Sequence, residues 1–372
     1  NSVPATTNAG TYNASIVPST AVGSGLANYA INYVAGNLNV GRATLTITPN
    51  AASAVYNATI LDNAAYSQNN SNFTITGYKN SDSVINAPVT LTGSMSFGGG
   101  VNTVVQNAGT YTLSVGTLAG TSSNANYQVT FANAANNAYV ITPQTLSISA
   151  TKVYDGTTSF GSNTITASTG IGNQTIQISG SATSNSADVL GVSSLNTSGL
   201  QLANGSNGGL AINYVLPAST GNVSITPAPI SVSIATQSKV YDSTSTAALV
   251  AGTSSNAGSY VLSGFAAGQG AYINQTNAVY NSADVASAAT VITTLSNANY
   301  IAKNGTNLSN YSLPLSIIGS GTITPATLTM TANAAAKFVG QTDPASFTYT
   351  LSGLKGADTS SVLNNISVTR QA

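Results

Sequence analysis

The feature that most constrains this chain is its internal repetition. ATLTITPNAA at 43–52 returns as ATLTMTANAA at 326–335, and ITPQTLSIS at 141–149 and ITPAPISVSI at 225–234 are diverged copies. Aligned on the residue three after the proline, they place Leu45, Leu146, Ile230 and Leu328 at equivalent anchor positions. Arg42 stands in the first copy where Pro143, Pro227 and Pro325 stand in the others. Further landmarks keep the same order. An Asn-Tyr pair, carrying Tyr33, Tyr127, Tyr214 or Tyr311, precedes each junction. VYN at 55–57, VYD at 153–155 and 240–242, and KFVG at 337–340 follow the junctions. NAGTY occurs at 8–12 and 107–111, and NSADV at 185–189 and 281–285. Self-similarity on this scale means stacked units, each with its own thin core, rather than one large domain.

The landmarks divide the chain into the closing part of a repeat at 1–42, whole repeats at 43–143, 144–227 and 228–325, and the opening part of another at 326–372. Proline suits such boundaries, because it fixes φ, lacks a donor and is excluded from strand interiors. No Gly/Ser linker separates the units, so the junctions are expected to hold neighbours at nearly fixed angles in an elongated array.

Within each unit the dominant period is two. Leu45 and Ile47 alternate with threonines, Leu146 and Ile148 with Thr145, Ser147 and Ser149, and Ile230, Val232 and Ile234 with Ser231 and Ser233. Such alternation is the mark of a half-buried strand. The expected fold is mainly β: small antiparallel modules, immunoglobulin-like or β-grasp-like. Helix signals are sparse. The best is 360–365, where Asp358 is expected to cap one short turn, with weaker counterparts around Asp82 and Asp284.

Composition then closes off most chemistry. The chain has no Cys, His, Trp or Glu, and eight Asp balance eight Lys and Arg. Without His or Cys there is no nucleophilic triad or dyad and no zinc site built on those ligands. Calcium prefers several carboxylates among six to eight oxygens, and no DxDxDG loop occurs. The expectation is therefore no enzyme, no catalytic residue, no metal and no cofactor. Basic residues are too scattered to follow a phosphate backbone, so nucleic acid is not an expected partner. No apolar run reaches the length of a membrane-spanning helix, so membrane insertion is not expected.

Two tetrapeptides stand out. Lys152, Tyr154 and Asp155, and Lys239, Tyr241 and Asp242, are expected to end a strand in a turn. Tyr would pack at the core edge, Asp would bond to the turn backbone, and Lys would guard an exposed strand edge. The tyrosines of the Asn-Tyr pairs are expected to bury their rings and find a hydroxyl partner.

With its flanks, KVYDGTT at 152–158 and KVYDSTS at 239–245, each following ITP, resemble the YDG repeat. FTYTLSGLKGAD at 347–358, with ITPATLTM before it, resembles the related MBG repeat. The resemblance covers nearly the whole chain. It implies strings of repeats in a large secreted bacterial adhesin of the filamentous-haemagglutinin kind, displayed at the cell surface. It brings no catalytic residues. The functional expectation is a structural stalk or adhesive repeat region of a surface or biofilm-matrix protein. The expected partners are neighbouring copies of the chain or surface polysaccharide. A self-assembling filament subunit and a carbohydrate-binding accessory region are the alternatives.

Overall fold

The computed structural model describes residues 4, 6–60, 66, 67, 69–97, 105–134 and 139–371. The chain is mainly β, built as tandem modules of short strands. Two compact units divide it: Asn1–Ile148 with Thr166–Gly180 and Leu200–Ala218, and Ser149–Ile165 with Ser181–Gly199 and Ser219–Ala372. The repeat at 144–227 contributes residues to both units.

In the first unit, strand Ala43–Pro49 buries Leu45, Ile47 and Pro49 and turns threonines outward, as its alternation requires. It lies between Tyr127–Phe131, which runs parallel to it, and Phe73–Thr76, which runs antiparallel. The chain then enters Ala52–Val55, whose parallel neighbour is Tyr139–Thr142; that strand pairs in turn with Gly109–Tyr111, antiparallel. The core holds Leu45, Ile47, Met95, Phe97 and Leu113, all fully buried. Each such side chain contributes about 1.5–3 kcal/mol by leaving water. The segment before residue 43 forms one antiparallel pair, Gly10–Ile16 with Gly36–Val40.

In the second unit, Ser147–Val153 pairs in parallel with Val223–Thr226. Ser231–Val240 sits between Ser316–Thr324, parallel, and Tyr260–Ser263, antiparallel. Its sheet continues through Thr290–Thr294, Asn277–Tyr280 and Thr246–Ala248. The last segment contributes an antiparallel pair, Thr329–Ala332 with Tyr349–Ser352.

Pairing is therefore mixed rather than antiparallel throughout. In all three whole repeats the last strand runs parallel to one near the start, Tyr139–Thr142 beside Ala52–Val55, Val223–Thr226 beside Ser147–Val153 and Ser316–Thr324 beside Ser231–Val240, a feature shared with β-grasp-like sheets. Such a pair needs a long crossover, and each repeat supplies most of its length for that. Helical structure with described ends is limited to three-residue 3₁₀ turns. The turn near the end spans Ser360–Val362, and its cap is Thr359, which accepts from Ser361 N, rather than Asp358. Asp82 and Asp284 lie in non-helical turns.

Candidate functional site: the seams between repeats

The anchors Leu45, Leu146 and Ile230 are buried, whereas Leu328 is half-exposed in the trailing segment. The recurrent polar landmarks gather at two kinds of place: a turn inside the repeat and the seam to the next one.

The turn is centred on lysine. Lys152 lies on the inward face of its strand with Ile148 and Ala150, and its side chain is 6% exposed. Its ammonium group donates to Asp155 Oδ1 at 2.7 Å, to the Thr157 carbonyl at 2.8 Å and hydroxyl at 3.0 Å, and to the Ser159 carbonyl at 2.9 Å. Lys239 repeats this with Asp242 Oδ1, the Thr244 carbonyl and hydroxyl, and the Thr246 carbonyl at the same four distances. Rings of Phe160 and Tyr280 lie 4.9 and 5.5 Å from the two ammonium groups. Asp155 and Asp242 each accept the backbone N–H two residues on, Thr157 and Thr244, at 2.9 Å. The Lys239 ammonium and the two Thr244 bonds hold the Asp242 carboxyl down at about 2. Burial pushes Asp155 up, but the same kinds of bond outweigh it and leave its carboxyl below the ordinary value.

The edge-guard expectation for these lysines is thus corrected. Their strands are interior to their sheets, and the ammonium groups point into the turn, where backbone carbonyls need donors. Lys337 is different again: it lies outside a strand and pairs with Asp343 at 2.5 Å, alongside Arg370 at 3.0 Å. In the first repeat, Ala54 occupies the lysine position, and the turn bond is kept, Thr59 N donating to Asn57 Oδ1 at 2.9 Å.

The seams use amides and phenols. Tyr214 and Tyr311, from the Asn-Tyr pairs, are 4% and 5% exposed. Tyr311 donates to Gln269 Oε1 at 2.5 Å, while Gln269 Nε2 donates to the hydroxyl of Tyr154, in the preceding repeat, at 2.8 Å. The two tyrosine rings meet edge to face, 5.3 Å between centroids. One repeat earlier, Gln174 accepts from Tyr214 and donates to Tyr56 at 3.1 Å, with those rings 5.6 Å apart. Burial raises the pKa of both Tyr214 and Tyr311. Carboxylates take the glutamine's place in the first repeat and the trailing segment. Tyr127 donates to Asp82 at 2.7 Å, and Tyr241 donates to Asp358 at 3.0 Å. Asp358 and burial together push the Tyr241 hydroxyl up.

A second latch sits beside Tyr311, Tyr214 and Tyr127. Asn310, fully buried, accepts from Val189 N at 2.9 Å and donates to Asp188 Oδ1 at 2.6 Å in the preceding repeat. Asn213, also fully buried, accepts from Ala108 N at 2.7 Å and donates to Asn107 Oδ1 at 2.9 Å. Asn126 does the same with Ala9 N and Asn8 Oδ1, at 2.7 and 2.9 Å. Both NAGTY copies and the NSADV copy at 185–189 are therefore the receiving halves of one latch, and the Asn-Tyr asparagine is the inserting half. Asn213 and Asn310 each close a 3₁₀ turn, which aims the amide away from its own strand. Tyr33 departs from the pattern: it is 45% exposed, and its hydroxyl accepts from Ala21 N at 2.7 Å.

Sequence reasoning missed Gln174 and Gln269. The signal was present: Gln269 follows YVLSGFAAG in the stretch where FTITGYKNSD and FTYTLSGLKGAD carry Asp82 and Asp358. The turn before the acceptor is kept by glycine. Gly77, Gly264 and Gly353 have φ of 106°, 96° and 102°, and a Cβ on Gly77 would lie 2.1 Å from the Thr44 carbonyl oxygen.

Among the described residues, no three His, Cys, Asp or Glu side chains gather as a metal site would need. Among them also, no helix is long and apolar enough to cross a membrane.

A string of β-modules whose recurrent residues serve the turns and the seams is a tandem-repeat protein. Residues 137–221 and 226–318 match the YDG domain, and residues 328–372 match the MBG domain (YGX type). The chain belongs to the MBG/YDG type of repeat region. No curated protein and no solved structure matches it.

Proposed function

We propose that this chain is the non-enzymatic stalk of an extracellular bacterial surface or matrix protein, an adhesin in which the repeats space and present a binding region. The observation that carries this reading is the seam. The same asparagine clamp recurs at 126, 213 and 310, and a shared Gln, Gln174 or Gln269, joins tyrosines of successive repeats. A spacer needs neighbours held in a fixed relation, and these latches supply it with buried, satisfied hydrogen bonds. The carbohydrate-binding alternative is weakened by the fate of the tyrosines. Tyr56, Tyr127, Tyr139, Tyr154, Tyr214 and Tyr260 are all buried and present no face to a sugar.

The test is the rigidity of one seam. Spin labels at Thr151 and Ser238, both exposed and in adjacent repeats, should give a narrow distance distribution. Gln269→Ala combined with Asn310→Ala should broaden it. A broad distribution in the parent chain would remove the basis for the stalk.

A further inference from the structure

We infer that each YDG repeat is a force-bearing unit in which the motif lysine acts as a mechanical pin. The inference rests on the stalk reading, since only a stalk is loaded from end to end. Two observations carry it.

The first is strand direction. The chain enters the third repeat at the N-terminal end of Ser231–Val240 and leaves it at the C-terminal end of Ser316–Thr324. These strands are parallel neighbours, with Gln237 opposite Gly321, Lys239 opposite Ile323 and Val240 opposite Thr324. Tension on the two ends therefore slides one strand along the other. Every ladder hydrogen bond is loaded at once, and none is peeled before the next. The second repeat has the same arrangement, with Ala150 opposite Val223 through Val153 opposite Thr226.

The second observation is the lysine's position inside that sliding pair. Lys152 faces Ile225 and Lys239 faces Ile323, within the parallel register. Drawing the first strand lengthwise must strip the ammonium group from four oxygens at 2.7–3.0 Å. The last of those oxygens is not free to follow. Thr246 begins a strand paired with Asn277–Tyr280, as Ser159 begins one paired with Ile176–Ser184. A ring lies over each ammonium group, and the Lys152 and Lys239 side chains are 6% and 18% exposed, which limits how readily water replaces the broken bonds. The lysine thus joins the strand that receives the load to the strand that follows it in the chain.

Single-molecule pulling on the full chain tests this. The chain has no cysteine, so introduced pairs give unique handles. Handles at Ser231 and Thr324 load the pair in shear. Handles at Val240 and Thr324, register partners, peel it from one end. Either geometry releases roughly 300 Å of chain at about 3.3–3.6 Å per residue, so the readout is force rather than length. Shear should need several-fold more force than peeling. Lys239→Met, which keeps the aliphatic stem, should lower the shear force, whereas Lys303→Met, the same change on strand Tyr300–Lys303 in a separate two-stranded sheet, should leave it unchanged. Equal forces in shear and peeling overturn the inference, and that comparison needs no lysine variant to fold. An unchanged shear force in Lys239→Met, or an equal loss in Lys303→Met, also overturns the pin. None of these failures touches the stalk reading, which stands or falls on the seam distances.

Discussion

Asn310→Ala is the most direct probe of the seam. The side chain is fully buried and makes two bonds across it, accepting from Val189 N at 2.9 Å and donating to Asp188 Oδ1 at 2.6 Å. Truncation leaves a backbone donor and a carboxylate oxygen facing a small cavity. A neutral hydrogen bond contributes about 0.5–1.5 kcal/mol and one to a charged group about 1.5–3 kcal/mol, so the expected loss is about 2–4 kcal/mol. Urea denaturation of the full chain, followed by tyrosine fluorescence, should show it as a lower midpoint for the transition that includes the third repeat. A double-mutant cycle with Asp188→Ala should return a coupling of about 0.5–3 kcal/mol, as contacting residues do. Asn310→Asp is a sharper variant, because it keeps the acceptor but sets a carboxylate against Asp188. It should be worse than alanine at neutral pH and partly rescued near pH ~4, where one carboxyl regains a proton and can donate. A loss within about 0.5 kcal/mol, the range of ordinary surface substitutions, together with no coupling to Asp188, would refute the latch.

Two other outcomes follow from the geometry. Tyr260 and Tyr300 donate to the carbonyls of Gln275 and Pro314, and burial pushes both hydroxyls up to about 12. Because the folded values lie above the unfolded value near 10, the stability they contribute is complete below pH ~10 and is lost as pH rises toward 12. Tyrosinate absorbance and circular dichroism should therefore change together in that window; ionisation of these residues well below unfolding would contradict it. Gly77→Ala should destabilise the first repeat by on the order of 3 kcal/mol, since a side chain is strained at that φ and the Cβ meets a backbone carbonyl. Thermal unfolding within a degree of the parent chain would be the contrary result.

Much of the module is legible in the sequence. Leu45 and Ile47, and Leu146 and Ile148, are buried as their alternation with Ser and Thr implied. The hydroxyls of Tyr127, Tyr214 and Tyr311 have partners, as a buried phenol requires. What remained hidden was which repeat supplies the partner. In a tandem array a recurrent residue looks the same whether it serves its own core or its neighbour's, so Asn107 and Asn213 read as two unrelated landmarks. The lysines were misread for a different reason. Charge suggested an exposed edge, yet Ile148, Ala150 and Lys152 share one face of their strand, and that face is the core. A bulge between Ile234 and Gln237 shifts the register before Lys239, which hides the same parity in the third repeat. The parallel pairing of the last strand with one near the start could not be read from alternation, because a period of two is the same in either direction.

The seam also accounts for the chain's unusual chemistry. A buried contact repeated along an array must be satisfied in every copy, and burying unpaired charge is costly. Amides meet that demand well, because one Asn or Gln side chain both donates and accepts. Asn213 and Asn310 each use both capacities, as does Gln269 between Tyr154 and Tyr311. A chain built this way can be rich in Asn and nearly free of charge while remaining well specified. The same logic explains how two repeat types share one string. Tyr241 of a YDG repeat finds Asp358 of the MBG segment where Tyr154 finds Gln269. Both acceptors present an oxygen to the incoming hydroxyl, so one type can follow the other without a change in the tyrosine. The seam, rather than the core, is then what sets which repeats can be neighbours.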